Sequence, residues 1–466
     1  MNERAPRHAL LSEEELGRLL RSEGGPSRES AEEVASYFDR LWPLMRSLTG
    51  EGVRESHKIL SEILPLERIE IPSGTVCFDW TVPKEWVVRE AYVVAPGGER
   101  ILDVADHTLH LLNYAHPFHG RLTRAELDAH LYSLPEQPDA IPYVTSYYEP
   151  RWGFCLTDRQ RRALPEGEYQ VVVDTELVDG SMTISECVLA GESAEEVLIS
   201  ANTCHPSMAN NELSGPLVAA FLGRRLQGLK RRRLTYRFVF LPETIGSIAY
   251  LSLRGEHLKA RMVAGYHVVC VGTDAPFTYK KSRRGDSQGG SLADRAALAT
   301  LGGTEEGGVR TLDFRADWGS DERQYCSPGF DLPLGSVMRS VYGEYPEYHT
   351  SLDDRDFISF EAMVGSVDAC FDICRALDMN RTYINRRPHG ELQLGKRGLF
   401  PTLGNFQENW DQVSAMLWLL NLADGTRDLL AIAERSGVDI RLLDHYARVF
   451  REMDILEVAP SGGGSE

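Results

Sequence analysis

Four short, almost unbroken apolar runs organise the middle of this chain: Glu196–Ser200, Phe238–Leu241, Val268–Gly272 and Leu332–Met338. Each ends in a polar turn, the pattern of strands buried on both faces between helices. Gly215–Leu226 carries the apolar spacing of a buried helix. Strands and helices alternate from about Tyr169 to Asn380, so we expect an α/β unit whose mostly parallel sheet is sandwiched by helices. Helical periodicity over Glu32–Ile63 leads into it. From Ile69 to about Thr157 the pattern changes to short β-rich runs with prolines and histidines, which predicts a β-rich insertion. The polar start, with Gly24-Gly-Pro-Ser27 closing a short helix, reads as a mobile lead-in. After a glycine- and proline-containing linker, Pro388–Gly404, the chain reads as helices over Trp410–Leu422, Thr426–Ser436 and Asp439–Met453. A strand at Ile455–Val458 then completes a winged-helix pattern. The expected boundaries are a lead-in at 1–28, a catalytic unit at 29–70 and 165–384, an inserted domain at 71–164, and a winged helix at 385–460.

The length of 466 residues exceeds a typical single domain, and 42% apolar with 26% charged residues is ordinary globular composition, so several folded units are expected. A net charge of −19 disfavours nucleic acid or polyphosphate as a partner and favours a small neutral or cationic one. The last helix agrees, because Arg441, Arg448 and Arg451 are offset by Asp439, Asp444 and Glu452. Packing against the catalytic unit or a second subunit, as in a homo-oligomer, is the expected role of the winged helix, in preference to reading DNA. The eight cysteines lack paired zinc-ribbon spacing and read as reduced, mostly buried thiols. There is no leading signal pattern and no apolar run near the roughly 20 residues needed to span a bilayer, so a cytoplasmic protein without a membrane partner is expected.

The chemistry concentrates where strands end. His205 follows Glu196–Ser200, and Pro206 with Asn210-Asn211 turns the chain toward the helix, placing an imidazole and a carboxylate on one tight loop. Ligands of open α/β sheets collect at that edge. Imidazole and carboxylate suit zinc, and a catalytic zinc keeps three protein ligands and a water. His349, in the polar loop Glu344–Asp354 after another strand, is the best partner. Glu243, at the end of Phe238–Leu241, is placed to take a proton from water and is the expected general base. His107, His110, His116 and His119 form a tempting second group, but without fixed ligand spacing they read as structural hydrogen bonders.

These motifs carry a family resemblance. The order His205, Asn211–Gly215, Pro242–Ser247, Gly319-Ser-Asp321 and Tyr348-His-Thr350 is similar to that of the zinc aminopeptidase clan. More closely, Asp79–Trp86, Asp139–Tyr148, Trp152–Leu156, Gly319–Gly329 and Gln393–Leu403 resemble bacterial aminopeptidase-like proteins of polysaccharide and natural-product gene clusters. The resemblance implies a zinc-aminopeptidase-like fold with an inserted β-rich domain and a C-terminal winged helix. The carboxylate that bridges two zincs in that clan falls at Asn211, the acid after the general base at Thr244, and the next strand-end acid within Val268–Gly272, which has none. One zinc per chain is therefore implied, held by His205, Glu212 and His349. Asp321 is the competing third ligand, or else accepts the free ring proton of a ligand histidine, and Asn211 stands beside the site. Tyr147, Tyr148, Tyr348, Arg283 and Arg323 are the expected substrate contacts, with Tyr143, Trp152 and Arg339 as further wall or clamp residues. The implied activity is metal-dependent hydrolysis of an amide or peptide bond in a small metabolite. Zinc-dependent acyl transfer or deacylation, and a non-catalytic binder or regulator that kept the fold, are the alternatives.

Overall fold

The structure, a computed structural model, describes residues 10–20, 28–286, 290–302, 308–400 and 409–460. It divides into two compact units, one of residues 28–294 and 305–370, the other of 1–27, 295–304 and 371–466.

The first unit is built on an eight-stranded sheet: β1 (Glu67–Pro72), β2 (Ser181–Leu189), β3 (Glu196–Asn202), β4 (Thr235–Leu241), β5 (Met262–Val268), β6 (Thr278–Lys280), β7 (Arg310–Leu312) and β8 (Leu334–Met338). Their order is β1-β2-β4-β3-β5-β8-β6-β7. The central four, β4, β3, β5 and β8, run parallel, and the antiparallel pairs lie toward the edges. Every residue of β3 and of β4 is buried, as their unbroken apolar sequences require of strands covered on both faces. Helix α1 (Ser214–Gln227) covers the sheet after β3, and α2 (Ile245–Arg261) follows β4. The expected α/β architecture with a mostly parallel sheet is present.

The insertion forms its own antiparallel sheet, in the order Arg100–Ile101, Glu85–Val94, Glu168–Val178, Phe118–Thr123. This corrects two boundaries. The valine-rich run at Tyr169–Asp174 belongs to this sheet, paired in register with Glu85–Val94, and the main sheet resumes only at Ser181. Strand β1, partly assigned to the insertion, edges the main sheet beside β2. A buried apolar strand advertises burial but not its partner, because pairing is decided by a segment some 80 residues away in sequence.

The second unit has helices α4 (Trp410–Leu422), α5 (Leu429–Ser436) and α6 (Ile440–Glu452) with a three-stranded sheet of Asp424–Asp428, Thr382–Asn385 and Leu456–Val458. Helix α3 (Phe360–Met379) precedes the sheet. Two expectations change here. Asp424–Asp428 is a strand and not the start of a helix, and Thr382–Asn385 extends the winged helix upstream of residue 385. Residues 10–20 are not a free lead-in: Glu13–Leu20 is a helix whose Leu16 and Leu19 pack on this unit's core, and Leu11 exchanges backbone hydrogen bonds with the Gln412 amide at 2.8 and 2.9 Å. The remaining residues of the 1–28 segment up to Ser27, and residues 401–404 of the expected linker, lie outside the described residues.

Candidate functional site

Three chain reversals meet at the carboxyl edge of the parallel strands. After β3 the chain passes through Cys204 and His205, then one π-helical turn, Ala209–Leu213, before α1 begins. Such widened turns recur at functional sites, because they aim side chains that a regular turn would bury elsewhere. Gly215 lets α1 approach β5, since a Cβ there would lie 2.3 Å from the Val268 carbonyl oxygen. After β4, Glu243 precedes Thr244, which is left-handed at φ +62° and opens α2. After β8 the loop carrying His349 returns to the π-turn, where the Asp353 carboxylate accepts the Asn210 and Asn211 N–H groups at 2.6 and 2.9 Å. The insertion clamps the same loop: Tyr143 N–H donates to the His349 carbonyl and Ser351 N–H to the Ile141 carbonyl, both at 2.8 Å. Ser207, Cys270 and His349 are also left-handed at φ +45°, +51° and +57°. Strained non-glycine backbone costs about 1–3 kcal/mol per residue, so its concentration here marks a constellation that the surroundings force into place.

Within this frame His205, Glu243 and His349 come together. The His205 and His349 rings are 5.2 Å apart by centroid, and Glu243 Oε2 is 3.9 Å from His205 Nε2. Glu212 is fully buried and engaged: Oε1 accepts the N–H of Cys204 and of His205, and Oε2 lies 2.9 Å from His205 Nδ1. His205 Nδ1 and Glu212 Oε2 are thus near enough to share one small ion, and Nε2 of the same ring faces Glu243. Asp321 sits behind Glu243, its Oδ1 accepting from Thr244 N–H at 2.7 Å and from the Ser247 hydroxyl at 2.8 Å. Burial, and then the nearby Glu243 carboxylate, push the Asp321 carboxyl well above the usual range. Burial opposes a charged His205, but contact with Glu212 outweighs it and leaves the imidazole raised. His349 is pushed down to about 3 by burial and by His205.

Asn202, Asn211, His205, Glu243, Ser320 and Tyr348 border a pocket of about 20 Å³, room for one water-sized group. The Oδ1 atoms of Asn202 and Asn211 are buried without a hydrogen-bond partner, an orphaned state that buried polar atoms rarely keep. Among the described residues, Cys204, His205 and Glu212 are the group whose ligand atoms all lie within 4.8 Å of one another. Imidazole, carboxylate and unpaired amide oxygens around so small a space fit one divalent ion, and the donor set suits zinc.

Of the expected substrate contacts, Tyr147, Tyr148 and Tyr348 border the site or the cavity leading to it. Tyr348 stacks on His349 at 3.9 Å. Arg283 does not join them: it is partly exposed and paired with Asp331 at 2.9 Å. Arg323 lies on the short helix Glu322–Tyr325 and lines neither space. Arg339 is held by Ser366 and the Ala275 carbonyl, and Trp152 is stacked between Phe118 and His130, so neither forms the wall. His107 caps a local turn and His110 bonds the Cys155 carbonyl, in line with their structural reading.

Ser320 was present in a quoted motif without a role; its hydroxyl donates to Glu243 Oε1 at 2.5 Å. Arg46 gave no sequence signal, yet it is fully buried and donates from Nε to the His205 carbonyl at 2.9 Å. Lys280 is wholly buried against Glu322 at 2.7 Å.

Comparison with known proteins fits this geometry. A family described as a domain of unknown function, DUF4910, matches residues 36–380, and a winged helix-turn-helix family matches residues 381–458. A Clostridium acetobutylicum protein, named for polysaccharide biosynthesis and an aminopeptidase-like domain, is 39% identical over 445 residues, covering 96% of this chain and all of that one. The chain belongs to this family. A C. acetobutylicum crystal structure named as a peptidase matches with a TM-score of 0.83 at 38% identity, over 92% of this chain and 96% of that one. The zinc aminopeptidase of Bacillus subtilis matches with a TM-score of 0.53 at 14% identity, over 74% and 94% of the two chains, a likeness of fold. An M28 peptidase precursor from Shewanella amazonensis gives 0.52 at 12%, over 77% and 95%. The family's fold is thus the aminopeptidase fold. No helix among the described residues is long and apolar enough to cross a membrane.

Proposed function

We propose that the protein hydrolyses an amide or peptide bond of a small metabolite, using one zinc ion and Glu243 as general base. The observation that carries this reading is the meeting of Glu243 Oε2, His205 Nε2 and His349 at the sheet's carboxyl edge, where His205, Glu212 and Glu243 also border a space for a single small group. The family fold, and a relative named as a peptidase, support it. His205, His349 and Glu212 are the residues we assign to the ion, which when bound would polarise the scissile carbonyl and acidify a water. Ser320 occupies Glu243 Oε1, which leaves Oε2 as the acceptor for the proton of the attacking water. Glu243 then passes that proton to the leaving amine. Asp321 holds the Thr244 N–H and so fixes the turn that presents Glu243. The winged helix is proposed to pack on the catalytic unit or a second subunit.

Metal analysis of protein purified without added metal tests the assignment. We expect about one zinc per chain, lost in His205→Ala and Glu212→Ala and retained in Asp321→Asn. A wild type without metal would overturn the hydrolase reading, and zinc lost in Asp321→Asn but kept in Glu212→Ala would exchange their roles.

A further inference from the structure

A second, larger cavity of about 530 Å³ opens onto Glu243, His205 and His349. One wall is aromatic and comes from the insertion: Trp80, Tyr143, Tyr147 and Tyr148. Trp80 and Tyr148 meet edge to face at 5.7 Å and remain 38% and 53% exposed, an unusual cost for large rings unless something covers them. The hairpin that carries Trp80 also exposes Val76 and Phe78, which continues the apolar rim.

The charges of this cavity are as telling as its rings. Beyond Glu243 and the two histidines, the charged side chain lining it is Arg151. Arg151 donates to the Thr145 carbonyl and forms no ion pair among the described residues. No carboxylate other than that of Glu243 waits for a substrate ammonium. The overall charge of −19 favours cations at long range, but the lining residues, at contact distance, favour an anion. The uncharged polar side chains are Thr145, Thr244, Cys204, Tyr148 and the Tyr143–Tyr147 hydroxyl pair, mutually bonded at 2.6 Å. A planar aromatic group can stack on such a wall without burying an unpaired hydroxyl of its own.

We infer that this cavity is the specificity subsite, and that the substrate amide carries an aromatic ring and a carboxylate, the ring on the Trp80–Tyr148 wall and the carboxylate at Arg151. The inference rests on the hydrolase reading only for the word substrate, so its test reads binding separately from turnover. Isothermal titration of the Glu243→Gln protein would use N-acetyltryptophan, its carboxamide, and N-acetylglucosamine. We expect the acid to bind about tenfold more tightly than the carboxamide, as a charge-assisted contact allows, with that preference abolished in a protein that also carries Arg151→Gln. Trp80→Ala would weaken both aromatic ligands about tenfold. Both residues are at the surface, and circular dichroism would confirm that the variants fold. Equal binding of acid and carboxamide, tighter binding of the sugar, or no binding of any of the three would overturn the inference, whichever way the turnover assay falls.

Discussion

The carboxyl edge of the main sheet and helix α6 of the winged helix both carry many charges, and they treat them oppositely. At the sheet edge the charges are buried and held by several partners: Lys280 and Glu322 are wholly inaccessible, and Glu322 also accepts from Ser320 N–H and the Tyr342 hydroxyl. Gly319 makes room for that pair, because a Cβ there would lie 2.0 Å from Glu322 Oε1. On α6, Arg441 is neutralised by Asp439 and Arg448 by Asp444, neighbours on the same element. Pairs buried on both sides are expensive and persist where they position chemistry, whereas pairs with a partner reaching solvent contribute less. The same difference argues against α6 as a DNA reader, since Arg441 and Arg448, two of its three arginines, are already paired.

The comparison breaks most decisively at Glu243. Replacing it with Gln preserves shape and removes the base, so amide turnover should fall by about 10²–10⁴-fold with zinc content unchanged. Equal loss of zinc would mean that Glu243 is a ligand. Next in size, Lys280→Met leaves the Glu322 carboxylate buried without its cation, and chemical denaturation should show a loss of about 3–5 kcal/mol. If the double variant Lys280→Met with Glu322→Gln recovers most of that loss but stays slow, the pair serves Ser320 and Glu243 more than stability.

His57 supplies a smaller effect with a definite sign. Its ring bonds Ser185 and Thr203 at 2.8 Å each, and burial pushes it down to about 3. The unfolded chain therefore takes a proton near pH 6.5 that the folded protein refuses. Stability from this group is complete above that pH and is lost as pH falls toward 3, by at most about 1.4 kcal/mol per pH unit. The difference between wild type and His57→Gln, followed by urea denaturation from pH 7 to 4, should shrink as pH falls. The smallest effect is at the exposed Arg451→Ala on α6, where we expect a stability change within about 0.5 kcal/mol and no change in turnover.

Much of this was legible in the chain, and the failures are instructive. The strands around β3 and β4 and the loops carrying His205 and Glu243 follow from local pattern, because burial on two faces leaves an unbroken apolar run and the chemistry sits at its end. Helices α4, α5 and α6 were readable for the same reason. Glu212 and Asp321 could be named from sequence but their duties could not be assigned, because which carboxylate faces an imidazole depends on the π-turn and on the strained turn at Thr244. Nothing local to Lys280 marks it as buried, since its partner Glu322 lies 42 residues away.

The sequence by itself determined the sheet, the order of the motifs and the residue types at the site, all of which rest on interactions along or near one segment. Only the tertiary structure decided that Glu168–Val178 joins the inserted sheet, that Ser320 donates to Glu243, and that Tyr143 and Asp353 bring His349 to His205. Those choices depend on hydrogen bonds between segments distant in sequence, and nothing in the local spacing of a chain specifies which distant group completes a buried polar atom.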